Sequence, residues 1–479
     1  MHSLGFRAVL PINGGRSGII PRSDRSISIW RRFLVPENSA VFYRRPGDDH
    51  PVIVRAEGCY LWDRSGHRVL DLASGISTTA SIGQGRGEIA ELMADQAKRL
   101  AFIHNSWVTN DRQEELAARY ARLAPDGVNK VVFSSGGSEA NELSLRLARQ
   151  YHLANDEPHR WKVISLAPSY HGATMGALSM TGRWDVNSDY EPYLFASQRI
   201  PPPVLYRGSF RGLEPKEAGV RAADLLADAI EASGPESVAA FIAEPISPSA
   251  GTVVPDPVYW QRIREICDHF GVLMIADEVV TGAGRTGYFV AMDHFGVTAD
   301  LSNLGKGLTG GYAPLAATLV RDTVADTIKE ADRGVSAVHT YAGNPIGCAV
   351  GSAVLDVIER ENLNERSRDL GERALAYLEE QIGDLPWVGD IRGLGLLIGI
   401  EYVQSPEGRE RLAASAEVGR TLWDAMWAKG FLLRTLRHST ALVGDVTNFV
   451  PALIIDDEQI TAGVDALRDT LLEVAPTWA

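Results

Sequence analysis

The chain has 479 residues, 45% of them apolar and 23% charged, which suits two or three globular domains with a sizeable core. A formal charge of −14 argues against a nucleic-acid partner, because phosphate binding needs basic clusters that release counterions. No run of eighteen apolar residues occurs, so no membrane span is expected, and Cys59, Cys267 and Cys348 follow neither a disulfide framework nor a metal spacing. The cytoplasm is the expected compartment.

The first 35 residues carry Arg7, Arg16, Arg22, Arg25, Arg31 and Arg32 against one acid, Asp24. They lack a clear amphipathic helix and a signal-peptide apolar core, and they read as an arm that packs on a partner subunit, with a transit peptide as the other reading. Residues 36–86 are expected to begin a small domain, because 52–73 alternates apolar and polar around Gly58 and Gly66. From 87 to about 350, helical patterns alternate with short apolar strands, as expected of a larger domain. The strand candidates are 130–133, 162–166, 238–243, 272–276 and 315–320, with helical patterns at 138–151, 222–232 and 257–270. That alternation predicts an α/β fold whose mostly parallel sheet is covered by helices, with ligands beyond the carboxyl ends of its strands. Residues 200–219, rich in Pro and Gly, read as an irregular loop. After 351 come two long helical patterns, strands near 391–400 and a final helix from Asp457, expected to form a C-terminal small domain.

Four motifs sit where such a fold places chemistry. Ser134-Ser135-Gly136-Gly137-Ser138-Glu139-Ala140-Asn141 lies between a strand and a helix, where free N–H groups and hydroxyls can bind a phosphate. N-capping by Ser138 explains the serine equally well. Ser169-Tyr170-His171-Gly172 follows the strand at 162–166 and offers an aromatic ring for stacking, although such a pair is more often structural. The apolar stretch from 271 ends in Ala276-Asp277-Glu278-Val279. An aspartate there can stabilise a protonated ring nitrogen, and a turn-forming acid is the plain alternative. Finally, Asn303-Leu304-Gly305-Lys306-Gly307-Leu308 and Gly310-Gly311-Tyr312 set one lysine among four glycines. Glycine admits a bulky ligand to the backbone, and a poorly solvated lysine forms Schiff bases. Taken alone, this segment is better read as a solvated loop lysine. A phosphate-binding P-loop is excluded, because Asp300 stands where the first glycine would be and Gly307 follows the lysine.

Gly282-Ala283-Gly284-Arg285-Thr286-Gly287 matches the dinucleotide fingerprint, but Tyr288-Phe289-Val290 continues with poor helix signals. No acid follows at the required strand end, since Asp300 comes too early.

In order and spacing, these motifs resemble the class III (ω-type) pyridoxal-phosphate (PLP) aminotransferases of fold type I. The resemblance runs from about Val52 to Ile454 and is most specific in Ala243-Glu244-Pro245, Asp277-Glu278-Val279, 282–287 and Gly305-Lys306-Gly307. It implies a large domain with a mostly parallel, seven-stranded-type sheet and a smaller α+β domain built from both chain ends. It also implies PLP as cofactor, and ping-pong transfer of an amino group from an amine or an ω- or β-amino acid to pyruvate or 2-oxoglutarate. Lys306 would carry the cofactor as a Schiff base and move the Cα proton. Asp277 would pair with the ring nitrogen, Val279 and Tyr170 would face the two sides of the ring with His171 beside them, and Gly136, Gly137 and Ser138 would cradle the phosphate. Glu244 would orient groups near the cofactor. Thr340, in His339-Thr340-Tyr341-Ala342-Gly343-Asn344-Pro345, would reach the phosphate of a neighbouring subunit, implying a homodimer or higher oligomer with shared sites.

Departures bear on the substrate. Gly136 stands where many relatives have serine, a form shared by a subgroup acting on amines and β-amino acids. Ser249 replaces the second glutamate of relatives acting on γ-aminobutyrate or ornithine. Arg434, or its neighbour Arg437, would bind the oxo-acid carboxylate, and Ser77, at a position often tryptophan, would open the pocket to a bulky amine. Trp107 is the remaining substrate-side candidate. An aminomutase, a decarboxylating aminotransferase or an epimerase would use the same lysine. A nicotinamide-dependent oxidoreductase built on 282–287 would leave Lys306 and Tyr170 without roles.

Overall fold

The computed structural model describes residues 39–43, 50–336, 339–437 and 442–478; the arginine-rich arm expected over 1–35 lies outside them. The described residues form two compact units, one of those up to 55 together with 62–67, the other of those in 56–61 and from 68 onward. In the first, Asp63 closes a tight turn: its Oδ1 accepts from the N–H groups of Ser65 and His67 at 2.8 and 2.9 Å. The Arg55 guanidinium lies 3.9 Å from the centre of the Trp62 ring.

The second unit is built on a seven-stranded sheet. Its strands are β1 (Lys130–Ser134), β2 (Lys162–Leu166), β3 (Gln198–Ile200), β4 (Val238–Ala243), β5 (Leu273–Asp277), β6 (Leu301–Leu304) and β7 (Ala316–Val320), in the order β1-β7-β6-β5-β4-β2-β3. All neighbours are parallel except β7, which runs antiparallel to both β1 and β6. Strands β4 to β7 are buried along their whole length, as parallel strands covered on both faces must be. Helices α1 (Gly137–Ala154), α2 (Pro215–Ser233) and α3 (Pro257–Phe270) are among those that cover it.

Two expected boundaries move. The irregular stretch from 200 ends before 219, because α2 starts at Pro215, whose fixed φ and missing N–H suit a first helical turn. The C-terminal helical run begins at Pro345 rather than after 351. The Asn344 side chain accepts from the Gly347 N–H at 2.7 Å and caps Pro345–Arg360. Strand β6 was not anticipated: only four residues long, it holds Ser302 and Asn303 and so shows no apolar run.

Strands Val388–Leu394, Leu397–Tyr402, Arg434–Arg437 and Asp445–Phe449 make a smaller antiparallel sheet. Leu70, Leu72, Ile82 and Ile89 share one apolar core with residues of this sheet and of helices Leu363–Ile382 and Asp457–Val474, so early and late parts of the chain close together. No helix among the described residues is long and apolar enough to cross a membrane.

Candidate active site

Every forward-running strand from β1 to β6, except the edge strand β3, ends beside a residue singled out by its chemistry. Gly136 follows β1, Tyr170 and His171 follow β2, Glu244 follows β4, Asp277 ends β5 and Lys306 follows β6. One edge of the sheet therefore carries them all.

At its centre is Asp277, 3% exposed. Its Oδ2 lies 2.8 Å from His171 Nδ1 and accepts from Asn141 Nδ2 at 2.9 Å, and its Oδ1 accepts from the Val279 N–H at 3.1 Å. Asn141, on the first turns of α1, also donates to the His171 carbonyl at 2.6 Å. Its Oδ1 accepts from Asn303 Nδ2 at 2.7 Å, and Asn303 Oδ1 accepts from the hydroxyls of Ser144 and Thr318 at 2.7 and 2.8 Å. The two hydroxyls orient Asn303, which orients Asn141, which turns its N–H groups to Asp277. Donors thus reach both oxygens of Asp277 and fix the orientation of its carboxyl group. Neither asparagine was assigned a role from sequence; a polar pair inside buried elements was the available signal.

Lys306 follows the extended Gly305 and opens a short 3₁₀ turn with φ +44, a left-handed backbone rarely imposed on a side-chain-bearing residue. Burial lowers its pKa; the charges of Asp277 and Glu244 oppose this, and Arg434 adds to it. The amine is thereby biased toward the neutral, nucleophilic form. Glu244 is pushed up to about 7, first by burial and also by Asp277, against the opposing pull of His171, Ser247 and Ser249. Its Oε2 accepts from Ser247 Oγ at 2.7 Å.

Helix α1 starts without a side-chain cap, its N-cap position being Gly136. Ser138 is therefore not the cap; it sits in the first turn and accepts from the Ala173 N–H at 3.1 Å. A Cβ on Gly136 would meet nothing within 4 Å, whereas one on Gly137 would sit 2.8 Å from Val279 Cγ1, and one on Gly305 3.3 Å from the same atom. The glycines thus let the helix start and the lysine turn close on Val279 while leaving room over Gly136. A free helix start for an anion, an exposed Tyr170, a half-buried Val279 and the buried, unpartnered His171 Nε2 suit a flat cofactor with an anionic tail.

Ser77 and Arg434 also come together. Ser77 is exposed in the irregular turn Ser74–Thr78, and Arg434 donates to the carbonyl of Ile76 at 2.9 Å. Arg437 is engaged elsewhere, 3.1 Å from Asp445 Oδ2 and bonded to the carbonyls of Leu412 and Ala413. Ser249 hydrogen-bonds Glu244. Thr340 is exposed, and its neighbour His339 lies 3.7 Å from Glu139. Trp107 is 96% exposed.

The fingerprint-like 282–287 segment opens no helix. A Cβ on Gly282 would lie 2.4 Å from Leu304, one on Gly284 2.6 Å from Asn364 and one on Gly287 2.2 Å from Arg368. Its glycines let the segment pack between the lysine-bearing strand and helix Leu363–Ile382.

A family model described as Aminotransferase class-III matches residues 43–471. The putrescine–pyruvate aminotransferase of Pseudomonas aeruginosa is 33% identical over 88% of this chain and 91% of its own. Among solved structures, an (S)-enantioselective omega-transaminase from Thermomicrobium roseum is similar with a TM-score of 0.86 at 33% identity, covering 91% of this chain and 97% of its own. An amine transaminase from an uncultivated Pseudomonas species, in its PLP-bound form, has a TM-score of 0.85 at 31% identity, covering 92% of this chain and all of its own.

Proposed function

The chain belongs to the class III aminotransferase family, PLP-dependent enzymes of fold type I, and on that premise we propose that it moves an amino group from a bulky primary amine or ω-amino compound to a short 2-oxo acid such as pyruvate. The observation that carries the reading is the convergence of Lys306, Asp277 with its fixed donors, and the uncapped start of α1 on one sheet edge. When bound, PLP supplies an electron-withdrawing ring that stores the electron pair left after a Cα proton is removed.

Each residue then has a task. The N–H groups at Gly136, Gly137 and Ser138 would hold the phosphate, helped by the positive end of α1. Val279 and Tyr170 would hold the ring from its two sides, with His171 beside it. Asp277, oriented by Asn141 and His171, would pair with the ring nitrogen. Lys306 would hold the cofactor through its amine and, as a free amine, would move the Cα proton. Glu244 orients groups at the buried edge. Arg434 takes the acceptor carboxylate, a role for which Arg437 is less suited while it is tied to Asp445. Ser77, too small to wall the pocket, leaves room for the donor.

Exposed Phe102, Trp107, Val108 and Tyr341 support burial against a second copy, whose Thr340 would complete the phosphate site. The three buried, unpaired cysteines suit the cytoplasm.

The test is the visible absorption of the purified protein. A yellow band that bleaches with a bulky amine and returns with pyruvate or 2-oxoglutarate supports amino transfer. A band that never bleaches turns the reading toward a mutase or epimerase, and no band on adding PLP refutes it.

A further inference from the structure

The loop bearing Ser77 is bent in a way its sequence does not favour. Ser74, Gly75, Ile76 and Thr78 have φ values of +45, +70, +68 and +62, and only Gly75 accepts such a backbone freely. Residues adopt this geometry when their surroundings over-determine it.

Those surroundings are a set of buried polar contacts on the inner side of the loop. Asp71, 4% exposed, accepts from the N–H groups of Ala73 at 2.9 Å and Gly75 at 2.6 Å, one on each carboxylate oxygen. Ser74 Oγ donates to the Val450 carbonyl at 2.7 Å and accepts from Arg285 NH2 at 3.3 Å. Arg285, 2% exposed, gives its NH1 to the carbonyls of Leu396 at 2.9 Å and Pro451 at 2.5 Å. These three acceptors are neutral, and the nearby charge that favours its ionised form is Asp71. Burial raises the Asp71 pKa and lowers that of Arg285 to about 9, and the charge of each opposes the shift of the other, so the two groups on either side of Ser74 depend on each other. On the outer side the loop presents Ser77, exposed, and the Ile76 carbonyl that Arg434 engages.

We propose that Asp71 and Arg285 are positioning residues that lock the Ser74–Thr78 loop from behind and so set which amine donors fit beside Ser77 and Arg434. Neither touches the substrate, and both act through the backbone of the loop. This rests on the reading of Ser77 and Arg434 as substrate-facing.

The experiment compares wild type, Asp71→Asn and the milder Ser74→Ala, which keeps both charges and guards against a variant that fails to fold. Donor kcat/KM is measured for a short and a bulky amine, with the acceptor fixed. Hydrogen exchange of the peptide covering 72–79 is followed without substrate. Expected are faster exchange in that peptide and a change of about tenfold in the bulky-to-short ratio, as small displacements of a positioned group bring. The visible band and its return with acceptor should stay. Unchanged exchange, or an unchanged donor ratio with only lower thermal stability, overturns the proposal. Failure of the wild-type band to bleach with either amine refutes amino transfer itself, while the exchange result still reports on the lock.

Discussion

Asn303 donates a 2.7 Å hydrogen bond to Asn141 and accepts one from Ser144, so the strand that delivers Lys306 and the helix that starts at Gly137 are tied together behind Asp277. The line Thr318–Asn303–Asn141–Asp277 has a fixed direction, because its first member is a hydroxyl and its last an acid. Replacing Asn141 with Ala should strand the Asn303 amide and remove one donor from Asp277. The cost should be about 1–3 kcal/mol, the penalty for leaving a buried polar group unsatisfied. A lower melting temperature together with weaker PLP retention is expected; no change in either would show that the line carries no weight.

Lys306→Ala should abolish the band that bleaches with amine. The rate of amino transfer should fall by at least about 10²–10⁴, the usual contribution of a positioned acid–base group. Single-turnover absorbance with the PLP-loaded variant checks this, and near-wild-type turnover would remove the lysine from the chemistry.

Glu244 gives a pH signature. Its carboxyl is raised from 4.5 to about 7, so the buried group resists ionisation. The unfolded chain releases this proton near 4.5 and the folded one near 7. The stability tied to the protonated form is therefore present below about 4.5 and lost as pH rises through 7. Glu244→Gln keeps an oxygen to accept from Ser247 and removes the titration. Relative to wild type, the variant should gain on the order of 3 kcal/mol between pH 4.5 and 8, as about 2.5 pKa units imply. Melting temperatures across that range read it out; a wild-type-to-variant difference that is flat with pH would contradict the burial argument.

Ser77→Trp should shrink the donor pocket. The loop is exposed there, so the fold should tolerate the ring, while kcat/KM for a bulky amine should drop by about 10–200-fold relative to a short one. A donor panel decides, and an unchanged preference would place Ser77 away from the substrate.

Cys59, Cys267 and Cys348 are buried, and burial pushes each thiol up to about 12. With thiolate scarce, Ellman's reagent should find no free thiol in the native protein and three after denaturation. Rapid native labelling would contradict the packing around them.

The sheet and the outline of the site were legible because their signals are local. Fully buried strands read as apolar runs, and Asp277 and Gly305-Lys306 stand at or just past strand ends. What escaped depends on register across long separations. Asn303 faces Thr318 only because β6 and β7 pair in that register, and Asn141 reaches Asp277 only because α1 crosses behind β5. Strand β6 itself was hidden by those same polar residues. Arg285 was read as one position in a glycine pattern; its partners at 396 and 451 lie more than a hundred residues away. Capping by Ser138, the alternative to an anion-binding role, does not occur, because the helix starts at Gly137 with Gly136 at its N-cap position.

The reversed strand β7 has a metric consequence. Its first residue, Ala316, is level with Ser134 at the end of β1, and the next, Ala317, is level with Leu304 at the end of β6. The two crossover arms that carry the anion cradle and the lysine are therefore held two strand pitches apart, about 9–10 Å. The span offered to a ligand, from its anionic tail to its reactive end, is thus gauged by backbone hydrogen bonding. Side chains around the rim can drift and retune the substrate while that calibre stays the same.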